Sequence, residues 1–146
     1  MAANIVITET IYIAASPETV WDFTQDYGKR HLWDKTILSA QIIQERPRIA
    51  AIKGIGGLTT ELHYKLDERP NKTSLAMFNT QSPFIAGGGG YWHYDTQDNG
   101  TLWTQTNSLI LKKNILGLMM APLMKWILRA NTKKAMLAAK KIIELS

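Results

Sequence analysis

From Pro122 to Ser146 the chain meets no further Gly or Pro, and no other stretch limits the fold as much. Proline is tolerated in a first helical turn, where its missing N–H is no loss, so Pro122 is read as opening a long C-terminal helix. At a helical 100° per residue, Met124, Ile127, Leu128, Asn131, Ala135, Ala138 and Ile142 fall on one face, with Arg129, Lys133, Lys140 and Glu144 opposite. An apolar face of that length needs a partner, and most of the chain before it reads as short strands. A curved antiparallel sheet wrapped around the helix is therefore expected. Asn131 lies within the apolar face, and the nearby Ala130, Ala135 and Ala138 are small. A buried amide needs a hydrogen-bond partner, and small residues leave room. The two readings are dense packing with a satisfied Asn, or a cavity between helix and sheet.

The earlier elements follow from local signals. Residues 5–13 alternate and are β-branched, as a strand does. Ser16 suits an N-cap, Pro17 a first helical position, and Glu18 and Asp22 the first turn. This first short helix should present Val20, Trp21 and Phe23 to the sheet and end near Gly28, and a second should cover 29–34 and end in Trp33. Strands are expected at 36–45, 48–53, 58–66, 73–79, 89–97 and 101–112. In the clearest one Leu58, Thr60, Leu62, Tyr64 and Leu66 share a face. Residues 54–57 read as a flexible break and 86–90 as a mobile loop or a bulge before a strand, either plain turns or rims of a cavity mouth. Asn99-Gly100 between alternating runs signals a two-residue hairpin. It would pair Thr96 with Trp103, Tyr94 with Gln105 and Trp92 with Asn107. Trp92, Tyr94, Trp103, Gln105, Asn107 and Leu109 then point inward, leaving the amides to meet each other, Asn131, Tyr94, water or a ligand.

Strand, two helices, about six strands and one long helix make an α+β plan with a largely antiparallel sheet of about seven strands, and residues 1–146 read as one domain. The opening Ala15-Ser16-Pro17-Glu18-Thr19-Val20-Trp21-Asp22-Phe23, followed by Asp26 and by Leu32-Trp33-Asp34, resembles the START-related, polyketide-cyclase-like superfamily (SRPBCC, with the birch-pollen-allergen fold). In many members a Pro follows the Trp-Asn or Trp-Asp pair; here Lys35 stands there. The resemblance implies the helix-grip fold and, in many members, a hydrophobic or amphipathic ligand held between sheet and C-terminal helix. Some members are cyclases or dehydratases, and fold does not settle activity.

Composition narrows the rest. There is no cysteine, so disulfides and thiolate chemistry are excluded. The start has no basic, apolar leader pattern, and a cytoplasmic location is expected. The net charge of +5, much of it in the tail, permits peripheral contact with an anionic membrane, but no nucleic-acid motif is present and no such partner is expected. His31, His63 and His93 lack metal-ligand spacing, so neither metal nor cofactor is expected. His63 and His93 should face solvent, and Met119, Met120 and Met124 read as core filler. No nucleophile–base pattern appears; acid–base work in an enzyme would fall to Tyr64, Tyr94, His31 or Asp34. The leading expectation is a small hydrophobic or amphipathic ligand in the helix–sheet cavity. The expected walls are Trp33, Leu62, Tyr64, Met77, Trp92, Tyr94 and Trp103. Gln105, Asn107 and Asn131 would orient the ligand, with Met124 and Ile127 above. The alternatives are a cyclase or dehydratase in the same cavity, marked by an ionisable group of perturbed pKa, and a membrane- or protein-interaction module on the basic helix. Oligomeric state is left open.

Overall fold

The computed structural model describes residues 4–146. Alternation shapes its first strand, β1 (Asn4–Ile13), where Ile5, Ile7 and Ile13 are buried and Val6, Thr8 and Thr10 turn outward. Ser16 then caps α1 (Pro17–Thr24), its hydroxyl accepting from the Thr19 N–H at 3.2 Å, with Pro17 in the first turn. The helix stops at Thr24, short of the expected Gly28. Gln25 is its C-cap, and the Thr24 hydroxyl bonds back to the Val20 carbonyl at 2.8 Å. The second expected helix is a single 3₁₀ turn, Arg30–Leu32.

Six strands follow: β2 (Ile37–Glu45), β3 (Arg48–Gly54), β4 (Thr59–Glu68), β5 (Lys72–Gln81), β6 (Ile85–Gln97) and β7 (Gly100–Leu111). They form one seven-stranded sheet in the order β1-β7-β6-β5-β4-β3-β2, with every pairing antiparallel. The glycine run is not a loop. Residues 87–90 lie inside β6, after an irregularity between Ile85 and Gly87. A Cβ on Gly88 would strike the Ser108 carbonyl, and one on Gly89 would lie 2.7 Å from the Leu75 carbonyl. Bare backbone lets β5, β6 and β7 close together where the sheet curves. The 54–57 break is the end of β3 and a 3₁₀ turn in which Gly56 and Gly57 have φ of 72° and 78°, a region open to glycine.

The β6–β7 hairpin corrects the expected register. Its turn is Asp98-Asn99, with Asp98 at φ 52°, so Tyr94 pairs with Trp103, Trp92 with Gln105 and Gly90 with Asn107. The slip is two residues, an even number, and every side chain keeps its face. Gly100 is required for another reason: a Cβ there would run into Tyr12 and the Ile13 carbonyl of β1.

The terminal helix α2 spans Ile115–Glu144, beginning well before Pro122, which lies inside it. Asn114 is the N-cap, its Oδ1 accepting from the Gly117 N–H at 2.6 Å. The buried face is also turned by about one position from the expected one: Thr132, Ala135, Met136, Ala139 and Ile143 are buried, while Asn131 is half-buried. Lys140 is not simply solvated. Its Nζ donates to the Tyr12 carbonyl at 2.6 Å and to Glu144 at 2.8 Å, and Glu144 accepts from the Ala14 N–H, stapling the helix end to β1. No helix is long and apolar enough to cross a membrane among the described residues.

These contacts divide the interior. One core cluster joins Ile13, Val20, Trp21, Trp33, Trp103 and Met136 between α1, α2 and the β1–β7–β6 side. A second, around Tyr27, Ala50, Ile52 and Tyr64, lies on the concave face of β3 and β4. Helix α2 packs chiefly on β1, with smaller contacts to α1 and β7.

Candidate functional site

Alternation places Arg48 on the concave side with Ala50 and Ile52. Its guanidinium reaches across to the loop after α1: Nη2 donates to Gln25 Oε1 at 2.8 Å and Nη1 to the Gln25 carbonyl at 3.0 Å, while Asp67 takes a bidentate pair at 2.9 and 3.0 Å. The same guanidinium lies 3.9 Å from the Tyr64 ring centroid. Gln25 is the hub. Its Oε1 also accepts from the Tyr64 hydroxyl at 3.1 Å, and its Nε2 donates to the Tyr94 hydroxyl at 2.8 Å. The Thr24 hydrogen is committed to the Val20 carbonyl, so Tyr94 donates to Thr24, at 2.8 Å. Tyr64 donates to Gln25, so the bond between the Tyr27 and Tyr64 hydroxyls has Tyr27 as donor. The result is a buried chain with one direction, Tyr27 to Tyr64 to Gln25 to Tyr94 to Thr24.

Beside it Arg30 is covered by aromatic rings, its guanidinium carbon 4.6 Å from the Trp33 centroid and 5.0 Å from that of Trp92. Asp34 accepts from Arg30 Nε at 3.1 Å and holds Thr36 through its other oxygen. Burial is the largest influence on Arg30 and opposes its charge, yet Asp34, Tyr27 and Tyr64 together more than offset it and keep the group above the ordinary arginine value. Burial pushes the Tyr64 phenol well above its usual range. It pushes Tyr94 up to about 12, against the opposing effect of its bonds to Thr24 and Gln25.

The expected lining residues separate into two groups. Trp33, Trp92, Tyr94, Trp103 and Gln105 are buried, with the three indoles 5.5–6.2 Å apart. They form a packed floor with Tyr64. Leu62, Met77, Asn107, Met124, Ile127 and Asn131 are half-buried. Leu62 and Met77 are register partners on the concave side of β4 and β5, next to half-buried Leu75. From Ile115 to Asn131 only Gly117 of α2 is buried. The concave side of β3–β5 thus keeps half-buried apolar side chains, while α2 makes its main contacts with β1.

The amides meet as a small network. Trp92 Nε1 donates to Asn107 Oδ1 at 2.8 Å, and Asn107 Nδ2 donates to Gln105 Oε1 at 2.8 Å and, at 3.4 Å, to the hydroxyl of Thr132. Thr132, not Asn131, is the helix partner. Three buried donors have no acceptor among the described residues: Trp33 Nε1, Trp103 Nε1 and Gln105 Nε2.

Outside this region, His63 bonds Glu61 and His93 bonds Asp95, each at 2.9 Å and each half-buried on the outer face, while His31 is exposed. Among the described residues no three His, Cys, Asp or Glu cluster as metal ligands. Two clefts open elsewhere. One of about 400 Å³ lies over outward residues of β2–β5 such as Gln41, Lys53 and Glu61. The other, of about 540 Å³, lies between Trp21, the β2–β3 turn and Arg48, Tyr64 and Asp67, where it reaches the outer edge of the buried network.

Gln25, Tyr27, Arg30 and Arg48 were not among the expected site residues. For Arg48 the signal was present, since period-two alternation puts it in line with Ala50 and Ile52. Nothing local marks Gln25 or Arg30.

Residues 4–140 match the family described as polyketide cyclase / dehydrase and lipid transport. No curated protein matches the chain significantly. Among solved structures, the Zhui aromatase/cyclase from Streptomyces sp. R1128 superposes with a TM-score of 0.82 at 14% identity, covering 97% of this chain and 94% of its own. A protein from Thermus thermophilus gives 0.81 at 15% identity, over 94% and 96%. A START superfamily protein from Mycobacterium smegmatis gives 0.77 at 15%, over 97% and 99%. At these identities the likeness is one of fold, the helix-grip arrangement of a curved sheet around a C-terminal helix.

Proposed function

The chain belongs to the polyketide cyclase / dehydrase and lipid transport family, and from that premise we propose that it binds a small hydrophobic or amphipathic molecule in the trough between α2 and the concave side of β3–β5. The observation that carries this reading is the division of the interior. α2 covers the β1 side of the sheet, Leu62, Leu75 and Met77 on the concave side stay half-buried, and so do Met124, Ile127 and Asn131 of the helix. Apolar surface leaving water there supplies roughly 25 cal/mol per Å², and convergent polar groups orient the guest. Support for an amphipathic guest comes from Tyr27 and Tyr64, which pack in one cluster with Leu62 and Leu75 and would offer phenol oxygens to a polar end of the guest.

A cyclase or dehydratase reading would use the same trough. Its marker, a perturbed ionisable group, is present at Tyr64 and Tyr94, but the direction of the shift does not favour acid–base work. Tyr64 and Tyr94 are shifted away from neutrality, not toward it, and both hydroxyls are engaged within the protein; an acid–base residue works best with a pKa near the operating pH.

The test is native mass spectrometry of the purified protein, extraction of anything it carries, and titration with an apolar fluorescent probe. A carried molecule, or probe binding weakened about tenfold in Met77→Trp, is the expected result. Empty protein that ignores the probe overturns the reading.

A further inference from the structure

The first half of α2 carries a second apolar stripe, on the side away from the core. Ile115, Leu116, Met119, Leu123 and Trp126 are 78%, 52%, 72%, 47% and 69% exposed. At a helical 100° per residue they occupy an arc of about 100°, roughly opposite the buried face that runs through Ala135 and Ala139. From Ile115 to Trp126 the stripe is about 16 Å long. Met119, expected as core filler, stands in solvent.

Charge says what covers it. Between Asp98 and Glu144 the sequence has no acidic residue. Lys112 and Lys113 stand exposed just before the helix, whose first turn also lacks an acid, so two cations sit beside the positive end of the helix dipole. Lys134 is exposed at one flank of the stripe, and none of these three lysines forms an ion pair among the described residues, whereas Arg129 and Lys133 share Glu9. A self-association surface would need about 800 Å² per partner, far more than one stripe about 16 Å long and one helix wide offers.

We propose that this half of α2 docks on an anionic phospholipid surface. The five apolar side chains enter the headgroup–acyl boundary, as an interfacial helix face does, while Lys112, Lys113 and Lys134 meet the phosphates. Resting on the trough proposed above, docking brings its open side to the bilayer, so that the guest class includes single-chain and other membrane-resident lipids. The side chains project singly from a helix without a groove, which suits a deformable lipid surface better than the shaped face of an acidic protein.

Flotation of the full chain with phosphatidylcholine vesicles, with and without a minority of phosphatidylglycerol, is the test. Binding is expected only to the anionic vesicles, falling steeply as ionic strength rises from about 0.05 to 0.5 M. Each basic residue near such a surface accounts for about fivefold in affinity, so the pair Lys112→Glu and Lys113→Glu should lose at least tenfold, as should Met119→Asp with Trp126→Asp. Circular dichroism and the apolar-probe titration, run without vesicles, report whether the variants remain folded and still bind. The exposed sites predict that they do. Wild-type protein that stays unbound, or binding that both pairs of substitutions leave unchanged, overturns the docking surface, as does a dimer or a complex with an acidic protein that Trp126→Asp dissolves in place of vesicle binding. Probe binding without vesicle binding defeats this proposal alone; vesicle binding without probe binding defeats the trough.

Discussion

Raising the pH from about 9 to about 12 should strip the protein of stability through its buried phenols. Tyr94 is 2% exposed, its ring 5.1 Å from Trp21 and 6.0 Å from Trp103, so ionising it means placing a phenolate among indoles. Its pKa is pushed from 10 to about 12. In that window the unfolded chain has released the proton and the folded one still holds it. The folded state binds more protons, so stability falls as pH rises. At 1.36 kcal/mol per unit a shift of about two units is on the order of 3 kcal/mol, fully present below pH 10 and gone by about pH 12. Tyr64, shifted in the same direction by burial, adds to the loss. Urea unfolding at about pH 9, 10, 11 and 12 measures this. The comparison is Tyr94→Phe, which starts lower because Gln25 and Thr24 lose a partner, yet should decline over that range by roughly 2–3 kcal/mol less than wild type. Parallel curves for the two proteins would refute the reasoning, because the titrating group would then not be Tyr94.

Gln25→Leu should destabilise by about 3–5 kcal/mol in the same denaturation assay, since it removes one charged and two neutral hydrogen bonds to buried Arg48, Tyr64 and Tyr94; a loss below about 1 kcal/mol would mean that the hub is not holding the network. Gly88→Ala should cost about 3 kcal/mol or more, because the added methyl meets backbone at Ser108 and Leu109 that cannot step aside; Gly87→Ala, whose methyl would find its nearest neighbour at 4.0 Å, should be close to neutral and serves as the control.

What the sequence disclosed was whatever periodicity or a local cap could encode. Ser16-Pro17 announced α1, and the alternation of β7 put Trp103, Gln105 and Asn107 on the inner face even though the hairpin register was two residues off. That error has a physical source. Asn99-Gly100 looks like a turn pair, but Gly100 is small because β1 crosses against it, and the positive φ falls on Asp98 instead. The helix start was misplaced for a similar reason. Pro122 drew attention as a starter while Asn114 and Gly117, which fit together because the Lys112 carbonyl leaves no room for a Cβ at 117, were the true cap. The hub was illegible because its bonds are long-range. Arg48 is 23 positions from Gln25 and 19 from Asp67, and no window of the sequence contains such a pairing.

The directed run of hydroxyls from Tyr27 to Thr24 has a mechanical meaning. Each tyrosine gives its one hydrogen onward and Gln25 relays the run by accepting at Oε1 and donating from Nε2, so no single rotor can turn without leaving a bare lone pair facing another, and the loop after α1 is bolted to β4 and β6 as a unit. A guest in the proposed trough would meet that unit as a fixed floor, so any adjustment to its size would fall to other parts of the fold.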